Sequence, residues 1–375
     1  METPSQISQF AIPPGFIDLG LGDPQYALLP LEIMRQAAEE RLSQNDPEFL
    51  QYGAKQGDGL FRKTLAKFLS SGYGFPTEPD SLFITNGASM GLHLICTLFT
   101  QPGDTIFVEE PTYFFSLRIF ADHGLHLIPI RTDESGLVIE SLEEELGNFH
   151  PKFLYIIPTY QNPTSHTLSQ ERREQLVSLS RQHDFLLVAD EVYHFLTYSG
   201  KPPKPFAAHI EAAKVISVGS FSKILAPGFR LGYIAAPKDK IHQLISLQKY
   251  VLSSPSTLSQ KLVYEILKEN YRSIKKEINT HYRKKMETLL KSLNSNGLSK
   301  YYHLPRGGFY VWLRTQKKFN ESIKKQLLDS DVNVVDGRIY FTNKPKENYI
   351  RLSIANIAND EINQAVKVIK KILYE

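Results

Sequence analysis

Six short apolar runs recur between residues 80 and 240: LFIT (82–85), TIFVEE (105–110), FLYIIP (153–158), LLVAD (186–190), VISVG (215–219) and LGYIAA (231–236), with longer helical patterns among them. Their hydrophobicity is continuous rather than alternating, so both faces of each strand must be covered. Helices supply that cover when strands run parallel, which predicts an α/β fold with a mostly parallel, doubly wound sheet. The segment SQERREQLVSLSRQHD predicts a crossover helix that starts on a serine cap at Ser169 and puts Leu176 and Leu179 on one stripe.

After Pro237 the texture changes. The charged stretch from Lys261 to Leu293 has no breaker and predicts one long helix joining two domains. A strand (308–313), a helix near 320–330, another strand (349–355) and a closing helix from Glu361 then predict a smaller α+β domain. The Pro- and Gly-rich start has no periodicity and is expected to be an arm. The expected division is an arm at 1–30 packing on the small domain, a large domain at 31–255, and a linking helix with the small domain at 256–375.

Charge and cysteine content narrow the function. The 375 residues carry 43 Lys+Arg against 40 Asp+Glu, a net +3 that gives no support to phosphate-backbone binding, so no nucleic-acid partner is expected. A lone cysteine, Cys96, forms neither an internal disulfide nor a thiolate metal cluster and reads as inert core. The N-terminus lacks a secretory pattern, and no apolar run reaches the ~18 residues of a membrane span, so a cytoplasmic chain with no membrane partner is expected. The histidines show no zinc spacing, and no metal is expected.

Ligands of a doubly wound sheet collect at the carboxyl ends of its strands. Asp190 ends LLVAD, with Tyr193 three residues on; Asn162 comes after FLYIIP; Ser220 and Lys223 come after VISVG; and Ala88 and Ser89 open a helix after LFIT. One rim thus gathers an amine, a carboxylate, a phenol, an amide and an anion-binding helix start. Pyridoxal phosphate chemistry needs that set: a lysine to bond the aldehyde, an acid to hold the pyridine nitrogen protonated, and helix amides with an arginine for the phosphate.

The stretch SFSKILAPGFRLGY, together with the upstream DEVY and YQNPT, resembles the fold-type I, class I/II pyridoxal-phosphate-dependent aminotransferases, from about residue 17 to the C-terminus. The resemblance implies ping-pong transfer of an amino group to a 2-oxo acid by a homodimer. It implies that Lys223 bonds the cofactor and moves the proton at Cα, that Asp190 pairs with the ring nitrogen, and that Tyr193 and Asn162 bond the ring hydroxyl. Ala88, Ser89, Ser220 and Arg230 are implied around the phosphate. Arg351 would clasp the substrate α-carboxylate with geometry that lysine cannot copy. Tyr113 would stack on the ring, Tyr52 would reach the phosphate across the dimer, and the Gly22 backbone would approach the substrate where a Cβ would intrude.

Rival readings are weaker. Gly87-Ala-Ser89-Met-Gly91 fits a serine-hydrolase elbow, but no His-Gly-Gly segment precedes it and Lys223 and Arg230 stay unexplained. A regulator with an aminotransferase-like domain would need a DNA-binding module ahead of the arm, where no room is expected. C–S β-lyases use the same residues, and that alternative stays open. No second arginine stands beside Tyr26, Leu28 and Leu29 of the arm or in VLSSPSTLSQ (251–260), so the expected donor is a neutral aromatic or aliphatic L-amino acid, with 2-oxoglutarate as acceptor.

Overall fold

A computed structural model of the chain describes residues 13, 15–210, 214–251, 254–269 and 271–375. The remaining arm residues and part of the 251–260 segment lie outside the described residues. In chain order the strands are β1 (Ile17–Asp18), β2 (Leu82–Thr85), β3 (Thr105–Glu110), β4 (His126–Asp133), β5 (Gly136–Leu137), β6 (Phe153–Ile156), β7 (Leu186–Asp190), β8 (Val215–Ser220), β9 (Gly232–Ala235), β10 (Tyr310–Arg314), β11 (Val332–Asn333), β12 (Val335–Asp336) and β13 (Tyr349–Ser353). The helices are α1 (Leu31–Ser43), α2 (Gly59–Tyr73), α3 (Ala88–Phe99), α4 (Phe114–Asp122), α5 (Ile139–Leu146), α6 (Gln170–Gln182), α7 (Lys238–Val251), α8 (Thr257–Glu269), α9 (Tyr271–Ser295), α10 (Glu321–Leu328) and α11 (Glu361–Leu373).

Eight strands form the main sheet in the order β2-β9-β8-β7-β6-β3-β4-β5. Its central pairs β8/β7, β7/β6, β6/β3 and β3/β4 are parallel, while β9 runs against both of its neighbours. The doubly wound α/β reading holds, and continuous apolar strands explain it. Ile106, Val108, Tyr155, Val188 and Ile216 join the core that contains Leu92 and Ile95 of α3. Their alternating neighbours Phe107, Leu154, Ile156, Leu187 and Ala189 join a second core with Leu142 of α5 and Leu176 of α6. Each face of the sheet therefore has its own apolar cover.

Caps fix where the helices begin. Ser169 Oγ accepts from the Arg172 N–H at 3.3 Å and starts α6, and Asp58 Oδ1 accepts from the Phe61 N–H at 2.8 Å and starts α2. The stretch 261–293 expected to be helical is described as α8 and α9, on either side of Asn270, which lies outside the described residues. Their partners differ: α8 packs on α1 and α2, whereas α9 packs on α11. An uninterrupted pattern of helix formers signals helix but carries no information about that change of partner. Cys96 is a free, buried thiol that burial pushes up to about 12, in keeping with an inert role.

A second sheet, β10-β13-β12, sets Arg351 of β13 opposite Trp312 of β10 and Val335 of β12. The arm joins this end of the molecule through β1, which pairs in parallel with β11. Among the described residues no helix is long and apolar enough to cross a membrane.

Candidate active site

Asp190 sits at the carboxyl end of β7, 4% exposed. Its Oδ2 accepts from the Tyr155 hydroxyl at 3.0 Å and its Oδ1 from the Val192 N–H at 3.3 Å. Burial lifts its carboxyl to about 6, while the Tyr155 bond, the Val192 N–H and the Lys223 charge pull it back. A buried acid aimed at a cavity suits a cationic ring nitrogen.

Lys223 lies in a turn directly after β8. Its Nζ donates to the Gly22 carbonyl at 2.8 Å and lies 3.4 Å from Asp23 Oδ1. Beside it, Ser220 Oγ accepts from the Ser222 N–H at 3.1 Å. Arg230, held at φ 51° after a short turn, packs against Gly87, whose own φ is +80°. A Cβ at Gly87 would lie 2.8 Å from Arg230 Nη2, so glycine is what lets the guanidinium close on the start of α3. The amides of Ala88 and Ser89 lack intrahelical acceptors by position, and with Arg230 they make a cradle for a phosphate-sized anion.

Arg351 is buried, and it is presented by a different sheet. Nη1 donates to Asn162 Oδ1 at 3.2 Å, and Nη2 donates to the Gly20 carbonyl. Its Nε has no hydrogen-bond partner among the described residues, and its guanidinium carbon stands 4.2 Å over the Tyr310 ring. The Tyr310 hydroxyl lies 3.0 Å from that of Tyr193 and fills the space where a Cβ of Gly22 would stand. The loop carrying Asn162 is tied down by Gln161, whose Nε2 donates to the Pro111 carbonyl at 2.6 Å.

A cavity of about 200 Å³ gathers Ala88, Ser89, Tyr113, Asn162, Asp190, Tyr193, Ser220, Lys223 and Arg230. Gly22 and Arg351 join them through the bonds to Lys223 and Asn162. Tyr52 is not brought in; it stands 86% exposed on the surface. Among the described residues, no histidine lines the cavity around Ser89 to serve as the base of a hydrolase elbow. Three residues here escape a reading of the sequence. Asp23 lines the cavity directly after Gly22, and its position in LGLGDP is the one available signal. Tyr155 and Tyr310 lie inside apolar strands, where a tyrosine reads as core.

A family model described as aminotransferase class I and II matches residues 14–369. This chain belongs to the class I and II aminotransferases. Aromatic-amino-acid aminotransferase 1 of Thermococcus litoralis is 32% identical over 370 residues, covering 96% of this chain and 88% of that protein. Among solved structures, the kynurenine aminotransferase of Pyrococcus horikoshii in complex with PMP superposes with a TM-score of 0.90 at 29% identity, covering 95% of this chain and 90% of that one. The α-aminoadipate aminotransferase LysN of Thermus thermophilus, complexed with N-(5'-phosphopyridoxyl)-L-leucine, gives a TM-score of 0.87 at 27% identity, covering 97% and 95%. The aminotransferase depends on pyridoxal 5'-phosphate. The donor set fits that group: an amine and a buried acid face one cavity, and the cradle at Gly87 is one that a Cβ would fill.

Proposed function

We propose that this aminotransferase moves the amino group of a neutral aromatic or aliphatic L-amino acid to a 2-oxo acid such as 2-oxoglutarate, with Lys223, Asp190 and Arg351 as its principal residues. The observation that carries the reading is that Lys223 and Asp190 line one cavity, while Arg351, from the second sheet, is bonded at 3.2 Å to Asn162 of the same cavity lining. When bound, pyridoxal 5'-phosphate supplies an electron sink that weakens the substrate Cα–H bond and carries the amino group between the two acids.

The chain's own residues do the rest. Arg351 clamps the α-carboxylate with two charge-assisted bonds, and the Gly22 backbone leaves room for it. Lys223 Nζ takes the proton from Cα and returns it one step later. Asp190 stays ionised against the ring nitrogen, and Tyr193 and Asn162 serve the ring hydroxyl. Tyr113 covers the ring face. Ala88, Ser89, Ser220 and Arg230 hold the phosphate. Tyr52, exposed on this chain, reaches the phosphate of a second copy in a homodimer. Residues 31–255 form the large cofactor-binding domain and 256–375 the linking helix and small domain, on which the arm packs through β1.

Charge selects the donor. Among the described residues, the cations lining the cavity are Lys223 and Arg230, both committed to the cofactor, while Asp23 adds a negative charge. The short side chain of aspartate would hold its distal carboxylate inside without a partner, whereas 2-oxoglutarate, which uses the same site in turn, has a longer chain that leaves its distal carboxylate in contact with solvent. The relatives named for aromatic amino acids and kynurenine agree with this choice, while those named for α-aminoadipate act on a donor with a distal carboxylate. Turnover of a donor panel with 2-oxoglutarate tests it. Phenylalanine or leucine should exceed aspartate in kcat/KM by at least about tenfold, the factor that roughly 1.4 kcal/mol of unpaired charge produces. An aspartate preference overturns the donor reading, and pyruvate with ammonia from cysteine conjugates as the main products overturns the transfer reading.

A further inference from the structure

Tyr310 occupies an unusual crossing point. It is 2% exposed on β10, its ring lies beneath the Arg351 guanidinium carbon at 4.2 Å, and its hydroxyl meets the Tyr193 hydroxyl at 3.0 Å. The two rings are nearly perpendicular, with centroids 5.7 Å apart at 76°, so they touch hydroxyl to hydroxyl rather than by stacking. One proton is shared in such a pair, and the other is free for a third group. A cation over the Tyr310 ring draws on its electron density and makes its O–H the better donor of the two. Tyr310 then donates to Tyr193, and the Tyr193 proton is left for the cofactor.

We propose that Tyr310 is a positioning residue that couples the carboxylate clamp at Arg351 to Tyr193, so that filling the clamp weakens the hydrogen bond Tyr193 offers to the ring hydroxyl. The proposal rests on the reading of Tyr193 and Arg351 given above. A carboxylate on Arg351 neutralises the cation over Tyr310; Tyr310 becomes a poorer donor, and Tyr193 in turn a poorer donor to the ring. The other titratable groups facing the pair are Tyr113 and, across Arg351, Tyr340. Tyr340 also lies under the guanidinium at 5.4 Å, but among the described residues it makes no bond to Tyr193. Asn162, which accepts from Arg351 Nη1 at 3.2 Å, is a separate route to the ring hydroxyl, and Tyr310 is the link to Tyr193.

The test is a pH titration of the holoenzyme's visible absorption, with and without saturating 3-phenylpropionate, a carboxylate that carries no amino group. In the wild type the carboxylate should displace the midpoint by roughly half a pH unit or more, the scale of one altered phenol bond. Tyr310→Phe removes the hydroxyl alone and should cut that displacement by at least about half, with far-UV circular dichroism unchanged. Tyr193→Phe should do the same, and adding Tyr310→Phe to it should change nothing further. A full displacement in either folded single variant overturns the coupling. A wild-type protein that takes up no pyridoxal 5'-phosphate and shows no visible band overturns the site reading itself, and the coupling with it.

Discussion

The Tyr155 hydroxyl donates to Oδ2 of Asp190 at 3.0 Å, inside a part of the sheet where both residues are buried. This bond partly offsets the desolvation that lifts Asp190 to about 6 from the usual 3.8. Removing it in Tyr155→Phe should raise the carboxyl by roughly one further unit. Affinity of the apoprotein for pyridoxal 5'-phosphate should then fall about twofold at pH 7, where about half of the acid rather than about a tenth would be protonated, and recover at about pH 8.5, where the acid is again ionised. Equal affinity at both pH values in variant and wild type would contradict this role.

Asp190 also sets a trade between stability and chemistry. Because its carboxyl is held up, the folded apoprotein keeps that proton to higher pH than the unfolded chain does. Stability from this group is complete below about 4 and is lost as the pH rises through about 6. Asp190→Asn should therefore stabilise the apoprotein at pH 7, by on the order of 2–3 kcal/mol, while abolishing turnover. Urea unfolding at pH 7 checks the sign; a destabilised apo variant would contradict it.

Much of this is readable in the residues. Asp190, Lys223, Asn162 and the start of α3 can be placed on one rim because apolar runs mark strands, and parallel strands deliver the loops at their carboxyl ends to the same edge. β4 escapes detection: HLIPIRTD is half exposed near the sheet edge, and its one long apolar stretch is broken by Pro129. Tyr310 and Tyr155 are hidden for the opposite reason. Their strands are buried almost throughout, and a strand pattern cannot tell a tyrosine that packs from one whose hydroxyl finds a partner far away in sequence, as Tyr155 does with Asp190 and Tyr310 with Tyr193. Arg351 is legible through YIRLSIA, but its contacts with Asn162 and Gly20 come from two other parts of the chain.

Arg351→Lys should leave the fold intact and weaken substrate capture. An ammonium cannot bond Asn162 and a carboxylate in the same planar arrangement, so KM should rise roughly 10- to 30-fold with a smaller fall in kcat. Steady-state kinetics with the preferred donor measure this, and an unaltered KM would count against the clamp.

Asp23 gives a charge-based prediction. Its carboxylate lines the cavity beside Lys223. Asp23→Asn should raise kcat/KM for glutamate relative to phenylalanine, by about fivefold for a charge pair in a partly solvated site. A ratio that stays fixed across the panel would place Asp23 outside the path of the substrate side chain.

The central claim is that Lys223 is the amine that captures the cofactor aldehyde opposite Asp190. Borohydride reduction of the yellow holoenzyme, and then peptide mass spectrometry, reads it directly. The account predicts a pyridoxyl phosphate adduct on the peptide containing Lys223, and loss of both adduct and visible colour in Lys223→Ala. An adduct on another lysine, or colour that survives in Lys223→Ala, would contradict it.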